Sequence, residues 1–114
     1  MKESLKVLQE CAELQTKKSN DYQNPNSKIT QADYYPNGIT TIHDIMHAKM
    51  LRIASVMEAM QSADYEPNFE SLEDSGKDLI NYASFFVAYC RKGIPGQDPT
   101  NDVFNNRSDN VSTK

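Results

Sequence analysis

Apolar residues recur at helical spacing in three stretches of the chain, and the segments between them lack that pattern. Over residues 2 to about 18, Leu5, Leu8, Cys11 or Ala12, and Leu14 return every three or four positions, which predicts a first amphipathic helix. Glu10 and Glu13 lie beside that stripe. Lys17 and Lys18 fall in the last turn, where cations suit the helix dipole. A second helix is predicted after Thr41, where Thr41-Ile-His-Asp44 has the form of a capping box. Its Met46, Met50, Ile53, Met57 and Met60 alternate steps of four and three, the spacing of a helix-packing seam. A third helix is predicted from a second capping-box pattern, Ser71-Leu-Glu-Asp74, with Leu72, Leu79, Ala83, Phe86 and Cys90 as its apolar stripe. Gly93-Ile94-Pro95 predicts its end, with Gly93 in the left-handed C′ position and a proline that cannot continue the helix.

The intervening segments differ in kind. From Ser19 to Thr40 the periodicity disappears, and Pro36-Asn37-Gly38 is a turn signal. About twenty residues is long for a connection in a compact domain. Tyr22, Tyr34 and Tyr35 argue against plain disorder, so the segment reads as an ordered loop folded over a site. Ser62 to Asn68, with Pro67, is a short connection. Beyond Gly96 the chain is Asp/Asn/Ser-rich, with Val103, Phe104 and Val111 as its sizeable apolar residues. The expected architecture is all-α. It has a three-helix core with a long ordered loop between helices 1 and 2 in one domain over residues 1–95, and a polar tail over 96–114. A core this thin gains from association, so a homo-oligomer is expected.

Composition narrows the function classes. With 114 residues, 38% of them hydrophobic, and six tyrosines and four phenylalanines as its aromatics, the chain can bury one modest core. A formal net charge of -4 provides no overall basic field, so direct nucleic-acid binding is not expected. The opening Met-Lys-Glu-Ser-Leu-Lys lacks the apolar region of a secretory signal, and no stretch approaches the ~20 apolar residues of a membrane span. A cytoplasmic location without membrane contact is expected. Cys11 and Cys90 each fall on an apolar stripe and read as buried thiols acting as small hydrophobes. Asn106-Arg-Ser and Asn110-Val-Ser match the glycosylation acceptor pattern, which means nothing without a secretory route.

Several groupings could carry chemistry. Glu70, Asp74, Asp78 and Tyr82 stand four residues apart on one helix face, and each acidic pair costs roughly 0.2–0.5 kcal/mol by repulsion. Such a stripe is either a solvated acidic face or a partner for something positive. Glu10 and Glu13 form a second pair at i, i+3. Should helices one and three pack side by side, these and Asp74 and Asp78 could converge on Mg²⁺ or Mn²⁺, which take oxygen ligands. Lys49 and Arg52, with Lys17 or Lys18, suit phosphate oxygens or else salt bridges to the acids of helix three. In Lys17-Lys18-Ser-Asn-Asp21-Tyr22 an aromatic able to stack on a base adjoins cations; the plain alternative is a helix end. His43 and His47 at i, i+4 could share a metal, but no third soft ligand accompanies them and a surface role is the ordinary reading. No Gly-rich phosphate loop, nucleophile elbow or Cys-His pairing is present, so covalent catalysis is not expected.

Lys18-x-x-Asp21-Tyr22, Lys49-x-x-Arg52-Ile53 and Asp74-x-x-x-Asp78-Leu-x-Asn81-Tyr82, in that order over about residues 5 to 92, resemble the nucleotide-modification-associated domain of phages and their hosts. More distantly, the chain is similar to MazG-like all-α nucleotide pyrophosphohydrolases. That resemblance implies an oligomeric helical bundle in which acids of two helices hold Mg²⁺ against a nucleoside triphosphate. Glu10 and Glu13 would match its first acidic pair and Asp78 the aspartate of its second. Two positions depart from it: Ser75 stands where the second motif has Glu, and Gln9 where the first has a further adjacent Glu. Both departures count against hydrolysis and leave nucleotide binding untouched.

The residues and the resemblance together give as the preferred reading a small phage-type protein that binds a nucleotide or cyclic nucleotide signal and sequesters it against host defence. Its ligand residues would be Lys18, Asp21, Tyr22, Tyr34, Tyr35, Lys49, Arg52, Asn81 and Tyr82, with Lys49 and Arg52 on phosphates, the loop tyrosines over a base, and Asp74 and Asp78 holding Mg²⁺ or orienting the basic pair. The alternative is a Mg-dependent pyrophosphohydrolase with Glu10, Glu13, Asp74 and Asp78 at the metal. A third reading is an interaction module without a ligand, using the methionine seam as its interface.

Overall fold

The computed structural model describes residues 2–22, 26–62, 66 and 68–97, excluding the side chains of 20–22. Helix α1 spans Glu3–Tyr22, α2 Ile39–Met60 and α3 Phe69–Cys90, and a short 3-10 turn covers Gln31–Tyr34 between α1 and α2. Among the described residues there is no strand, so the fold is all-α. Pro67 and residues 98–114 of the expected tail lie outside the described residues. No described helix is long and apolar enough to cross a membrane.

The helix ends differ from the expected ones for local reasons. Helix α1 continues past Lys18 to Tyr22 because no Gly or Pro interrupts it before Pro25. Helix α2 starts at Ile39, ahead of Thr41, because Gly38 closes the preceding turn at φ 64, a conformation glycine adopts without a Cβ penalty. The Thr41 hydroxyl, expected to cap the helix, instead accepts the Asn37 N–H at 2.9 Å. Helix α3 is capped by Asn68, whose Oδ1 accepts the Ser71 N–H at 3.1 Å, so Ser71 lies inside the helix. At its other end the left-handed residue is Lys92 (φ 58), ahead of Gly93, and the Gly93 N–H donates to the Ala88 carbonyl at 2.8 Å.

Helix α3 contacts both other helices and packs chiefly on α2. The core sits at one end of the α2–α3 pair. It comprises Tyr35, Ile42, Tyr89 and Ile94, with Ile39, Ile45, Met46, Tyr82, Phe85 and Phe86 packed around them. The segment after α3 acts as a strap. Ile94 enters the core, the Ala32 N–H donates to the Pro95 carbonyl at 3.1 Å, and Gln97 Nε2 donates to the Tyr89 carbonyl at 2.8 Å. Gly96, at φ 81, sits so close to Thr30 that an added Cβ would overlap the threonine side chain. The strap therefore holds the 3-10 turn against the ends of α2 and α3.

Between α1 and α3, Cys11 is buried and Lys77 is ion-paired with Glu10 at 2.8 Å and with Glu73 at 3.5 Å. The hydrogen bond that Lys77 donates to the Glu10 carboxylate raises the lysine's pKa, and burial pushes the Cys11 thiol above its ordinary value.

The apolar stripes are only partly buried. Met50 and Met57 of the expected seam are 53% and 51% exposed, whereas Ile42 is fully covered. At 3.6 residues per turn these two methionines lie about 60–80° round the helix from Ile42, so they flank the core and do not fill it. Cys90, expected to be buried, is exposed. The inward face of α3 is mixed: Ser75 and Asn81 are buried along with Tyr89, whereas Phe69 and Val87 are exposed.

Candidate functional site

The inward face of α3 borders a cleft closed by α1 and the 3-10 turn. Asp78, Asn81, Tyr82 and Phe85 come from α3, Gln15, Lys18 and Ser19 from α1, and Gln31 from the turn. Residues three and four apart share a helix face, which is why Asp78, Asn81, Tyr82 and Phe85 meet there. The cavity encloses about 90 Å³, room for about three waters or the edge of a planar ring.

Its mouth is charged. Lys49 Nζ of α2 lies 3.4 Å from Asp78 Oδ2, and Lys18 Nζ of α1 lies 4.0 Å from Oδ1 of the same carboxylate. Each helix supplies one of the three charges. The Lys49 ammonium also stands 5.9 Å from the centre of the Tyr82 ring, within cation–π range. Tyr82 meets Phe85 edge-on at 5.5 Å and 89°. Two ammonium groups around one carboxylate leave a local excess of one positive charge. Loose, partly exposed ion pairs such as Lys18–Asp78 contribute little, about 0–1 kcal/mol, so an incoming anion can replace them.

The inner wall is lined by amides. Asn81 is 7% exposed. Gln15 Nε2 donates to Asn81 Oδ1 at 2.9 Å and to Ser84 Oγ at 2.7 Å, and the Ser84 hydroxyl donates to the Asn81 carbonyl at 2.7 Å. Gln31 Nε2 donates to the Tyr35 hydroxyl at 3.1 Å.

Of the residues expected at a ligand, Lys18, Lys49, Asn81 and Tyr82 are gathered here, with Asp78 among them. Tyr35 is in the core, and its hydroxyl accepts from Gln31 of the cleft. Tyr34 is exposed and is not part of the cleft wall. Arg52 is exposed and makes no ion pair among the described residues. The side chains of Asp21 and Tyr22 lie outside the described residues.

The four acids expected at a metal are not brought together. Glu10 is engaged by Lys77, Glu13 and Asp74 are exposed, and Asp78 is engaged by the two lysines. Among the described residues no group of three or more His, Cys, Asp or Glu side chains could hold an ion, which applies equally to His43 and His47. The one carboxylate on the cleft wall, Asp78, stands opposite two ammonium groups.

Sequence reasoning missed Gln15, Gln31 and Phe85. Gln15 could have been found, since it follows Cys11 by one helical turn and so shares the face that α1 buries.

Compared with protein-family models, curated proteins and solved structures, the chain matches none of them.

Proposed function

We propose that the chain binds a phosphorylated nucleotide, or a signal derived from one, and holds it without cleaving it. The observation that carries this reading is the meeting of Lys18 and Lys49 on Asp78 at the mouth of an amide-lined, aromatic-walled cleft. Ammonium groups suit phosphate oxygens, and the amides suit the edge of a base. A cavity of about 90 Å³ admits a ring edge and leaves sugar and phosphates outside, where the lysines are. The likeness to the nucleotide-modification-associated domain rests on residues that include Lys18, Lys49, Asn81 and Tyr82, and so supports the same surface. Cleavage through Mg²⁺ is the weaker reading, because three of the four candidate acids are turned to Lys77 or to solvent.

The test is chromatography with mass detection of a nucleotide pool, cyclic species included, incubated with the protein and Mg²⁺. The expected result is one species that leaves the filtrate and returns intact when the protein is heat-denatured. A shorter phosphate ester in its place would make the protein a hydrolase. A pool unchanged in every species would overturn the reading and leave an interaction module. Lys49→Ala should weaken binding about tenfold or more with helical circular dichroism unchanged.

A specific observation also supports self-association. Phe69 (69% exposed), Met50, Met57 and Val87 present apolar surface on α2 and α3, and a nearly wholly apolar groove lies between Ile39, His43 and Phe86. The expected partner is a second copy of the chain. Light scattering behind size exclusion decides this, and a monomer at micromolar concentration would reject it.

A further inference from the structure

The polarity of the amide wall can be worked out from hydrogen-bond chemistry. A hydroxyl has one proton, and that of Ser84 is committed to the Asn81 carbonyl at 2.7 Å. The Ser84 oxygen must therefore accept from Gln15, which fixes the nitrogen of the Gln15 amide at Ser84 and Asn81. Asn81 must in turn offer its oxygen to Gln15. Two atoms remain without partners among the described residues: the Asn81 amide nitrogen, a donor, and the Gln15 amide oxygen, an acceptor. Gln31 donates through its nitrogen to Tyr35, so its oxygen is a second acceptor without a partner among the described residues. All three side chains border the same cleft. Asn81 is more than nine-tenths buried, and a buried donor left unsatisfied is costly.

From this we infer that the cleft selects guanine. The inference rests on the nucleotide reading of the cleft. One donor group and two acceptor groups call for a ring edge with one acceptor and two donors. The Watson–Crick edge of guanine presents O6 as acceptor with N1–H and the 2-amino group as donors. Uracil and cytosine present the reverse count, one donor and two acceptors. Adenine presents one of each, and hypoxanthine matches guanine except for the missing amino donor. The Asn81 nitrogen takes O6, and the two glutamine oxygens take the ring N–H and the amino group. The Tyr82–Phe85 pair forms the apolar wall against which the ring lies.

The test is equilibrium calorimetry of the full chain with the 5′-triphosphates of guanosine, inosine, adenosine and uridine, in EDTA at fixed salt. Guanosine triphosphate should bind most tightly. The inosine form should be about tenfold weaker, because one acceptor is left unpaired, and the adenosine and uridine forms weaker again, by about a hundredfold relative to guanosine. Gln31→Leu, at a half-buried position on the turn, should weaken guanosine triphosphate at least tenfold and leave the uridine form within about twofold. Equal affinities across the four, or a preference for adenosine or uridine, would overturn the guanine inference while phosphate recognition stands. Absence of binding by all four would overturn the nucleotide reading itself. Unchanged guanosine affinity in Gln31→Leu would remove Gln31 from the base edge and with it the two-acceptor count.

Discussion

Replacing Gly96 by alanine tests the strap directly. Gly96 holds φ 81, where an L-residue is disfavoured by about 1–2 kcal/mol. The new Cβ would also overlap Thr30 Oγ1 and Cβ. Because the threonine Cβ is fixed to the backbone, no rotamer change relieves the contact, and forced overpacking of this kind costs about 1–3 kcal/mol. Together the terms come to roughly 2–5 kcal/mol, a large share of the 5–15 kcal/mol typical of a domain. Urea unfolding followed by circular dichroism should show that loss in Gly96→Ala. Adding Thr30→Gly should restore the overlap portion and leave the backbone portion, so the double variant should recover about half. Since Gln31 adjoins Thr30 and borders the cleft, ligand affinity should fall in the single variant as well. A Gly96→Ala protein within about 0.5 kcal/mol of the parent, the usual range for an indifferent surface substitution, would refute the account of the strap.

Gly76, inside α3, is the opposite case: nothing lies within 4 Å of a Cβ added there. Gly76→Ala should therefore raise stability by about 0.5–1 kcal/mol in the same urea assay, and destabilisation would mean that another chain covers this position. Asp78→Asn removes the carboxylate that competes for Lys18 and Lys49, so phosphate-bearing ligands should bind several-fold tighter at low salt in calorimetry; weaker binding would show that the carboxylate itself serves the ligand. A thiol reagent at neutral pH should label Cys90 quickly and Cys11 only on unfolding, since Cys11 is buried and its pKa is raised by burial. A group whose pKa is raised on folding stabilises below its unfolded value and ceases to as the pH climbs through the folded one. Cys11 (ordinary value 9.0) and Lys77 (10.5) should thus leave stability flat near neutrality and erode it above about pH 9, and a rise in stability there would contradict both assignments.

The three helices were legible because apolar spacing is a local property of the chain. Their ends were less so. Thr41 and Ser71 have capping chemistry, yet Gly38 and Asn68 precede them and take the role, and a sequence pattern does not rank such competitors. The inward and outward faces were the harder matter. The methionine spacing reveals a stripe but not which neighbour covers it, and α2 packs chiefly on α3. Lys18, Lys49 and Asp78 were each singled out from residue type, but their meeting depends on the packing of three helices. The amide relay was out of reach for a similar reason: Gln15 and Ser84 are far apart in sequence, and neither residue type is distinctive by itself.

The central place of α3 sets an order of events during synthesis. A nascent chain that has emerged only through α2 has the two outer helices but not the element on which both pack. It also lacks Ile94 and Pro95, which pin the 3-10 turn beside the cleft. Burial must then come late and together, as the last helix and the strap leave the ribosome, because contacts between residues so distant in the chain cannot form earlier. A chain released before residue 94 would carry every residue that lines the cleft and still lack the strap that pins its 3-10 wall.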